Sequence, residues 1–533
     1  GGETMDASSL DMVRGPLLGK ILRFSLPLMA TNLLQMLFNA ADVVVVGRFA
    51  GYASMAAVGS TSSTVFLLTN LLMGLGIGIN VIVARYTGEG GRGRDISRTL
   101  HTAMTLGLLG GILLGAAGIL ASDWMLRLLD TPEDIFRPTR LYLRIYFLGT
   151  PFVLLYNYGT AVLRAVGDTR RPLYFLLASG GLNLALNLHT VVVLRWDVAG
   201  VGLATVVSQL AAALLVLGCL AREKRPIRYH WNRFLVDGAA LRKIARIGVP
   251  AAVQAVLFSL SNVVIQGAIN QFGSVVVAAN SAGASLENFL YVAMNAFHQA
   301  GMTFIGQNLG AGKWHRVKQV IRICLGLTLG LGLLEGIGIH GWAPELVALF
   351  NRDPAVIRAG TVRLLWVGQW YVIFGLADVL VGCIRGFGTS VGPMVINLLG
   401  TCAFRLCWIA GLDLPRQGVE MVYLSYPLSW ALILIALAGY GIILYRNSAR
   451  KEADPSYAQH KTHSGSPAET AAEPASGPAD EAAPAGSAGN GTVHPGGGGS
   501  QSSAGLSRGR DGSGLAGDGG RTEAGPDRPG PGG

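Results

Sequence analysis

The feature that most limits what this chain can fold into is a succession of apolar runs, each near the length a helix needs to cross a bilayer. About 20 mainly apolar residues in a helix span the hydrocarbon. Runs of that order lie at about 21–47, 54–84, 96–120, 135–162, 172–194 and 199–220, then at about 244–269, 275–306, 317–341, 355–383, 392–412 and 419–445. They predict an all-α integral membrane protein with twelve transmembrane helices. Only 14% of the residues are charged, against about 25% in soluble proteins, which argues against an ordinary cytosolic enzyme.

The charge balance is +11, from 42 Lys and Arg against 31 Asp and Glu. In a soluble protein that would point to nucleic acid; here the positive charge sits in loops, where it sets membrane orientation. One set of alternate loops carries Arg85, Arg92, Arg94 and Arg98, then Arg164, Arg170 and Arg171, then Arg222, Lys224, Arg225, Arg228 and Arg233. The same set continues with Lys313, Arg316 and Lys318 and ends with Arg446, Arg450 and Lys451. The opposite loops hold single charges such as Arg48, Arg195 and Arg416, or arginines offset by acids. The expectation is a multi-pass protein of the cell (inner) membrane with both termini and the 222–243 loop in the cytoplasm.

Five cysteines, Cys219, Cys324, Cys383, Cys402 and Cys407, fall inside apolar runs without a CxxC pair or a nearby His, so neither a disulfide nor a metal site is expected. The opening segment runs straight into an apolar stretch too long for a signal core. The last 87 residues, from Asn447 to Gly533, hold almost no large apolar side chains and read as a disordered, low-complexity tail without chemistry of its own.

The chain also repeats itself. Lys20-Ile-Leu-Arg-Phe-Ser-Leu-Pro27 aligns with Lys243-Ile-Ala-Arg-Ile-Gly-Val-Pro250 at an offset of 223, pairing Asn39 with Asn262 and Phe49 with Phe272. Arg85-Tyr-Thr-Gly-Glu-Gly90 pairs with Gln307-Asn-Leu-Gly-Ala-Gly312 at offset 222, and Leu163-Arg-Ala-Val-Gly167 with Ile384-Arg-Gly-Phe-Gly388 at offset 221. So steady an offset predicts two homologous six-helix lobes. The boundaries are an N-terminal segment 1–20, an N-lobe 21–221, an inter-lobe loop 222–243, a C-lobe 244–446 and the tail 447–533. Six spans per lobe give both the same orientation, and such pairs commonly bind substrate between the halves and work by rocking. The organisation is that of a carrier.

These residues resemble the multidrug and toxic compound extrusion (MATE) family, most closely its DinF-like bacterial branch. The matching stretches are Pro27 through Asn39, Asp42 and Gly47; the 85–90 and 307–312 segments; Leu163 through Pro172; Cys383-Ile-Arg-Gly-Phe-Gly388; and Tyr426-Pro-Leu-Ser-Trp430. The likeness covers about residues 15–446. It implies a twelve-helix, two-lobed antiporter that exports organic cations or other amphiphiles against inward proton or sodium flow, with no cofactor beyond the coupling ion. Its partners would be small organic substrates and the lipid bilayer, with no nucleic acid, and the chain would work as a monomer.

Polar groups are costly in hydrocarbon, so those at mid-span are the functional candidates. In the first span Asn32, Gln35, Asn39 and Asp42 recur at spacings that place them on one helix face. An ionised carboxylate at the bilayer centre costs about 2.5–3.5 kcal/mol, so Asp42 is expected to take up a proton or bind a cation such as sodium. Asn39 has its repeat equivalent in Asn262, whereas Asp42 aligns with Ile265, which points to a function confined to one half. The resemblance adds Asn183 and Thr205 to Asp42 as a cation-coupling set; Asn187 stands where the family has a second acid, which leaves ion preference open. In the second half Glu287, Asp378, His298 and Gln299 are cleft candidates, together with Asn157, the repeat equivalent of Asp378. Either Arg405 neutralises Glu287 or Asp378 in a buried pair, or one of these acids attracts cationic substrate or a second coupling ion, as acids of the second lobe do in some relatives.

Aromatic residues such as Phe38, Tyr156, Phe289, Tyr291, Trp366 and Trp370 could stack on flat cations but fit core or interface positions as well. Gly74-Leu-Gly-Ile-Gly78 lacks the strand-to-helix setting of a phosphate loop and fits close helix packing. Other functions would leave other marks: a channel would need a continuous pore, whereas a two-lobed repeat with acids in each lobe suits alternating access. A lipid-linked precursor flippase of the same superfamily would have extra spans or a strongly cationic cavity, and an integral-membrane transferase would need clustered acids such as DxxxD at a helix end. The mid-span charges are mainly acidic, and the one DxxxD, Asp130 to Asp134, falls in a loop whose acids are offset by arginines up to Arg140.

Overall fold

The computed structural model describes residues 10–49, 73–90, 92–128, 131–224, 226–411 and 418–453. The front of the predicted second span, the 1–9 segment and the tail from 454 onward lie outside the described residues. The described part is helical almost throughout, and the chain is an all-α membrane protein.

The helices of the first half are α1 (Leu17–Phe49), α2 (residues 73–89), α3 (Gly93–Leu128), α4 (Glu133–Leu148), α5 (Thr150–Ala165), α6 (Arg170–Asn187) and α7 (Asp197–Arg222). The second half holds α8 (Gly238–Asn270), α9 (Ser274–Gly310), α10 (Trp314–Ala348), α11 (Pro354–Trp366), α12 (Tyr371–Gly386), α13 (Val391–Asn397), α14 (Arg405–Ala410) and α15 (Val419–Ala453). A π-helical turn, Leu188–Val193, extends α6, and another, Leu398–Phe404, joins α13 to α14. Because α15 runs to Ala453, residues 447–453 of the expected tail continue its helix.

Among the described residues nine segments are long and apolar enough to cross a membrane. The expected spans near 54–84, 135–162 and 275–306 are outside that set for three different reasons. The first is only partly described. The second is broken at Gly149 between α4 and α5 and carries Arg137, Arg140 and Arg144. The third, α9, is diluted by Asn280, Glu287, Asn295, His298, Gln299, Gln307 and Asn308.

The repeat is visible in the helix lengths. The first residues of α1 and α8 are 221 apart and both helices have 33 residues; α5 and α12 are 221 apart with 16 residues each. Pro27 in α1 and Pro250 in α8 both lie inside their helices, where proline removes a backbone hydrogen bond and favours a bend. The interruption before α5, at Gly149, recurs as a 3₁₀ turn, Gly368–Trp370, before α12. After these short helices the chain turns at Gly167 (φ 97°) and Gly388 (φ 88°), a left-handed conformation that costs glycine nothing.

The halves pack against each other at the end bearing the Arg-rich loops. Asn80, fixed within the first half by donating to Ala161 O (3.1 Å), accepts through Oδ1 from Thr303 of the second (3.1 Å). Gln307 Nε2 donates to Ala165 O (2.7 Å), and Asn308 reaches Met12 O (3.2 Å). Small residues let the backbones come this close: a Cβ on Gly78 would lie 2.3 Å from Ile244 O, and one on Gly88 would lie 1.9 Å from Gln307 O. The packing role expected for the 74–78 glycines therefore holds at Gly74 and Gly78, while Gly76 has room.

Overpacking a close contact costs about 1–3 kcal/mol, and about 1.4 kcal/mol is tenfold in an equilibrium. Gly88→Leu is therefore expected to depopulate the state joined at this end by about tenfold or more and to cut dye export accordingly. Gly110→Leu, on α3 with nothing within 4 Å of its Cβ position, should leave export unchanged. Equal export by both variants at equal membrane abundance would refute the contact's importance.

Candidate functional site

The first-half site is built by α1, α6 and α7. On α6, Gly180, Asn183 and Asn187 follow at spacings of three and four and so share a face. A Cβ on Gly180 would lie 2.1 Å from the Phe38 ring of α1, so this face abuts α1 one turn below Asp42. There Asn187 Nδ2 donates to Asp42 Oδ1 (2.6 Å) and to Asn183 Oδ1 (3.2 Å). Asn183 Nδ2 in turn donates to Ser208 Oγ (3.4 Å), and Ser208 Oγ donates to Thr205 O (2.8 Å). The four residues expected as a set are thus brought together, with Ser208 as a link the sequence reading missed. Thr205 joins through its carbonyl, its hydroxyl donating to Val201 O (3.0 Å).

Asn187 is fully buried and both its amide hydrogens are taken, which leaves its carbonyl oxygen without a hydrogen-bond partner. Buried polar atoms are seldom left so. The π-helical turn begins at the next residue, and such turns are frequent at functional sites.

Asp168 fixes where α6 begins. Its Oδ1 accepts from the backbone N–H groups of Arg170 (3.0 Å) and Arg171 (3.1 Å), and its other oxygen pairs with Arg171, which also pairs with Glu223 after α7. The Leu163–Pro172 motif is therefore a clamp at the base of α6 and α7.

A second polar network crosses between the halves. Asn32 Nδ2 on α1 donates to Asn295 Oδ1 on α9 (3.3 Å), which also accepts from Gln299 Nε2 (2.7 Å). Asn295 Nδ2 donates to the Tyr291 hydroxyl (3.0 Å). His298 Nδ1 lies 2.8 Å from Asp378 O and 3.1 Å from Asp378 Oδ2. Asn32 and Gln299 therefore share one network through Asn295, which also reaches Tyr291, while His298 and Asp378 form a pair of their own. Gln35 and Asn39 are exposed and Asn262 half-buried; Asn157 donates to Val153 O of its own helix (2.7 Å) and stays outside it.

The expected partner of Glu287 is corrected. Its Oε2 pairs with Arg363 Nη2 on α11 at 2.9 Å, both residues buried. Arg405 instead donates to Ser429 Oγ (2.8 Å) and stacks over Tyr426 (4.3 Å) and Trp430 (5.6 Å). Arg363 sits inside an apolar run whose outer face carries Arg358, so charge patterning alone did not single it out. Glu287 is thus part of an ion pair separate from the His298–Asp378 pair.

Apolar helices in two repeated sets, with buried carboxylates and amides at mid-span, define a multi-pass membrane transporter. The MatE family model matches residues 27–189 and again 250–407, once in each repeat. The chain belongs to the MatE family. It is 28% identical over 434 residues to the "Probable multidrug resistance protein YoeA" of Bacillus subtilis (strain 168), covering 78% of this chain and 92% of that one. It is 27% identical over 433 residues to the "FAD transporter" of Shewanella oneidensis, covering 80% and 94%. A crystal structure of MATE in complex with MaD3S superposes with a TM-score of 0.77 at 19% identity, covering 82% of this chain and 98% of that one.

Proposed function

We propose that this transporter is a secondary multidrug antiporter of the cell (inner) membrane, exporting organic cations or amphiphiles in exchange for protons or sodium by alternating access. The observation that carries the reading is the Asp42–Asn187–Asn183 chain: one half-buried carboxylate bonded to an amide and, among the described residues, in no ion pair. A proton or sodium ion would be cargo here, held by Asp42 and the unpartnered Asn187 oxygen, a hard-oxygen pair suited to either. Dye export in proteoliposomes, driven separately by an imposed pH gradient and an imposed sodium gradient, tests the coupling. If neither gradient moves dye, antiport is excluded.

Contact between the halves at the Arg-rich end supports a state open toward the other side, and the loop charges support cytoplasmic termini and a cytoplasmic 222–243 loop. Single cysteines introduced in that loop should react with an impermeant maleimide only after the cells are opened; labelling of intact cells would overturn the orientation.

One observation favours a second substrate class. Arg405, buried against Tyr426 and Trp430, has no carboxylate within ion-pair distance among the described residues. That environment suits an anionic aromatic substrate, and the Shewanella relative is named a transporter of FAD. Competition of flavin nucleotides with dye export, lost in Arg405→Gln, distinguishes the two readings.

A further inference from the structure

A cavity of about 660 Å³ lies at the Arg-rich end, apart from both polar networks, between the first turns of α3 and the loop that follows α7. Arg94 and Arg98 line it from α3, Arg228 and Arg233 from the loop, and no carboxylate is among its lining residues. Arg94 and Arg98 are one helical turn apart, a spacing at which like charges repel. Of the neighbouring acids, Asp95 is engaged by Arg92 at 3.6 Å, while Asp237 accepts the N–H of Ala240 at 2.8 Å through Oδ1 and offers Arg98 a long contact, 3.9 Å, through its other oxygen, which leaves Arg94, Arg228 and Arg233 without a carboxylate in ion-pair contact among the described residues.

The loop is docked, which fixes the backbone positions of Arg228 and Arg233, while all four arginine side chains are exposed. Ile227 and Tyr229 are buried, and the Tyr229 ring stacks on His101 of α3 at 5.3 Å. His101 lies 2.8 Å from Ser97 O through Nδ1 and accepts from the His230 N–H at 3.1 Å. At the far end the Asp237 N–H donates to Thr102 Oγ1 (3.0 Å). Between these anchors the loop turns apolar side chains outward: Trp231 is 53% exposed, Phe234 67% and Val236 53%.

Exposed aromatic and aliphatic groups beside arginines are the pattern of a segment lying in the membrane interface. The depth agrees. The apolar run within α3 begins at about residue 96, so Arg94 and Arg98 stand where hydrocarbon gives way to headgroups. The N-terminal N–H groups of α3 add to the attraction for an anion. We infer that this cavity holds the phosphate headgroup of an anionic phospholipid from the adjoining leaflet, with Trp231, Phe234 and Val236 among its acyl chains.

The test uses the full chain, purified from equal mixtures of phosphatidylglycerol and phosphatidylcholine, with retained lipid counted by native mass spectrometry. The wild type should favour phosphatidylglycerol by about tenfold, Arg98→Gln/Arg228→Gln should bring the ratio near parity, and Arg98→Lys/Arg228→Lys should keep most of the preference because the charge remains. Phe234→Ser leaves the arginines in place and should also weaken retention, which keeps the inference testable if the double variant does not fold. An unchanged ratio in a folded double Gln variant overturns the site. Displacement of the lipid by inorganic phosphate at equal affinity overturns the lipid and assigns a soluble anion instead.

Discussion

Asp42→Asn is expected to reduce gradient-driven dye export to the level of cells without the transporter, at near-normal membrane abundance. The substitution keeps size and hydrogen-bonding capacity, so Asn187 retains a partner oxygen at the position now 2.6 Å away. What it removes is the change of charge. In the reading proposed here, loading a proton or sodium ion at Asp42 neutralises this face of α1 and biases the halves between two packings, and a ligand shifts such an equilibrium only by its differential affinity for the two states. A permanently neutral side chain offers no such difference. Exchange of labelled for unlabelled dye without a gradient should persist, which separates lost coupling from lost binding. Asp378→Asn, beside His298 and away from the Asp42 site, should instead raise the dye concentration needed for half-maximal export. Wild-type export by Asp42→Asn under the same gradient would remove Asp42 from the coupling role and move attention to Asp378.

Much of the fold was legible because the bilayer makes helix length and apolarity nearly sufficient signals. The repeat offset read from Pro27 and Pro250 reappears as matched helix lengths and matched glycine turns at Gly167 and Gly388. Segment breaks were not legible: Gly149 sits within an apolar run, and the π-helical turns follow Asn187 and Asn397 with no composition change to mark them. Part of the site was legible by the same logic. A carboxylate or amide in an apolar run stands out, so Asp42, Asn183 and Asn187 could be named, and packing at Gly180 explains why they meet. Partner choice between distant helices was not. Glu287 had two arginines within reach of any plausible helix arrangement, and which one it met depended on how α9 faces α11, where Gly283 allows the Arg363 side chain to lie within 2.6 Å of a would-be Cβ.

That pair yields the second large effect. Removing one partner of a buried ion pair typically costs about 3–5 kcal/mol because the other charge is left uncompensated, whereas replacing both with apolar groups is often neutral. Here Glu287→Gln would leave Arg363 and Arg405 buried together with no acid in ion-pair contact, Arg363 only 2% exposed and Arg405 1%. Arg363→Met would leave Glu287 beside Arg405, which is already committed to Ser429, Tyr426 and Trp430. Each single variant should therefore lower the thermal unfolding temperature of the detergent-purified protein sharply and reduce its yield. Glu287→Gln should be the worse of the two, because two like charges then remain rather than an acid near one cation. Glu287→Leu/Arg363→Met should recover most of the loss. The non-additivity separates a structural pair from an acid that binds substrate: a substrate-binding Glu287 would lose dye affinity equally in the single and the double variant, with little change in stability. A double variant no more stable than either single would show that the energy resides in separate contacts of the two side chains and not in their pairing.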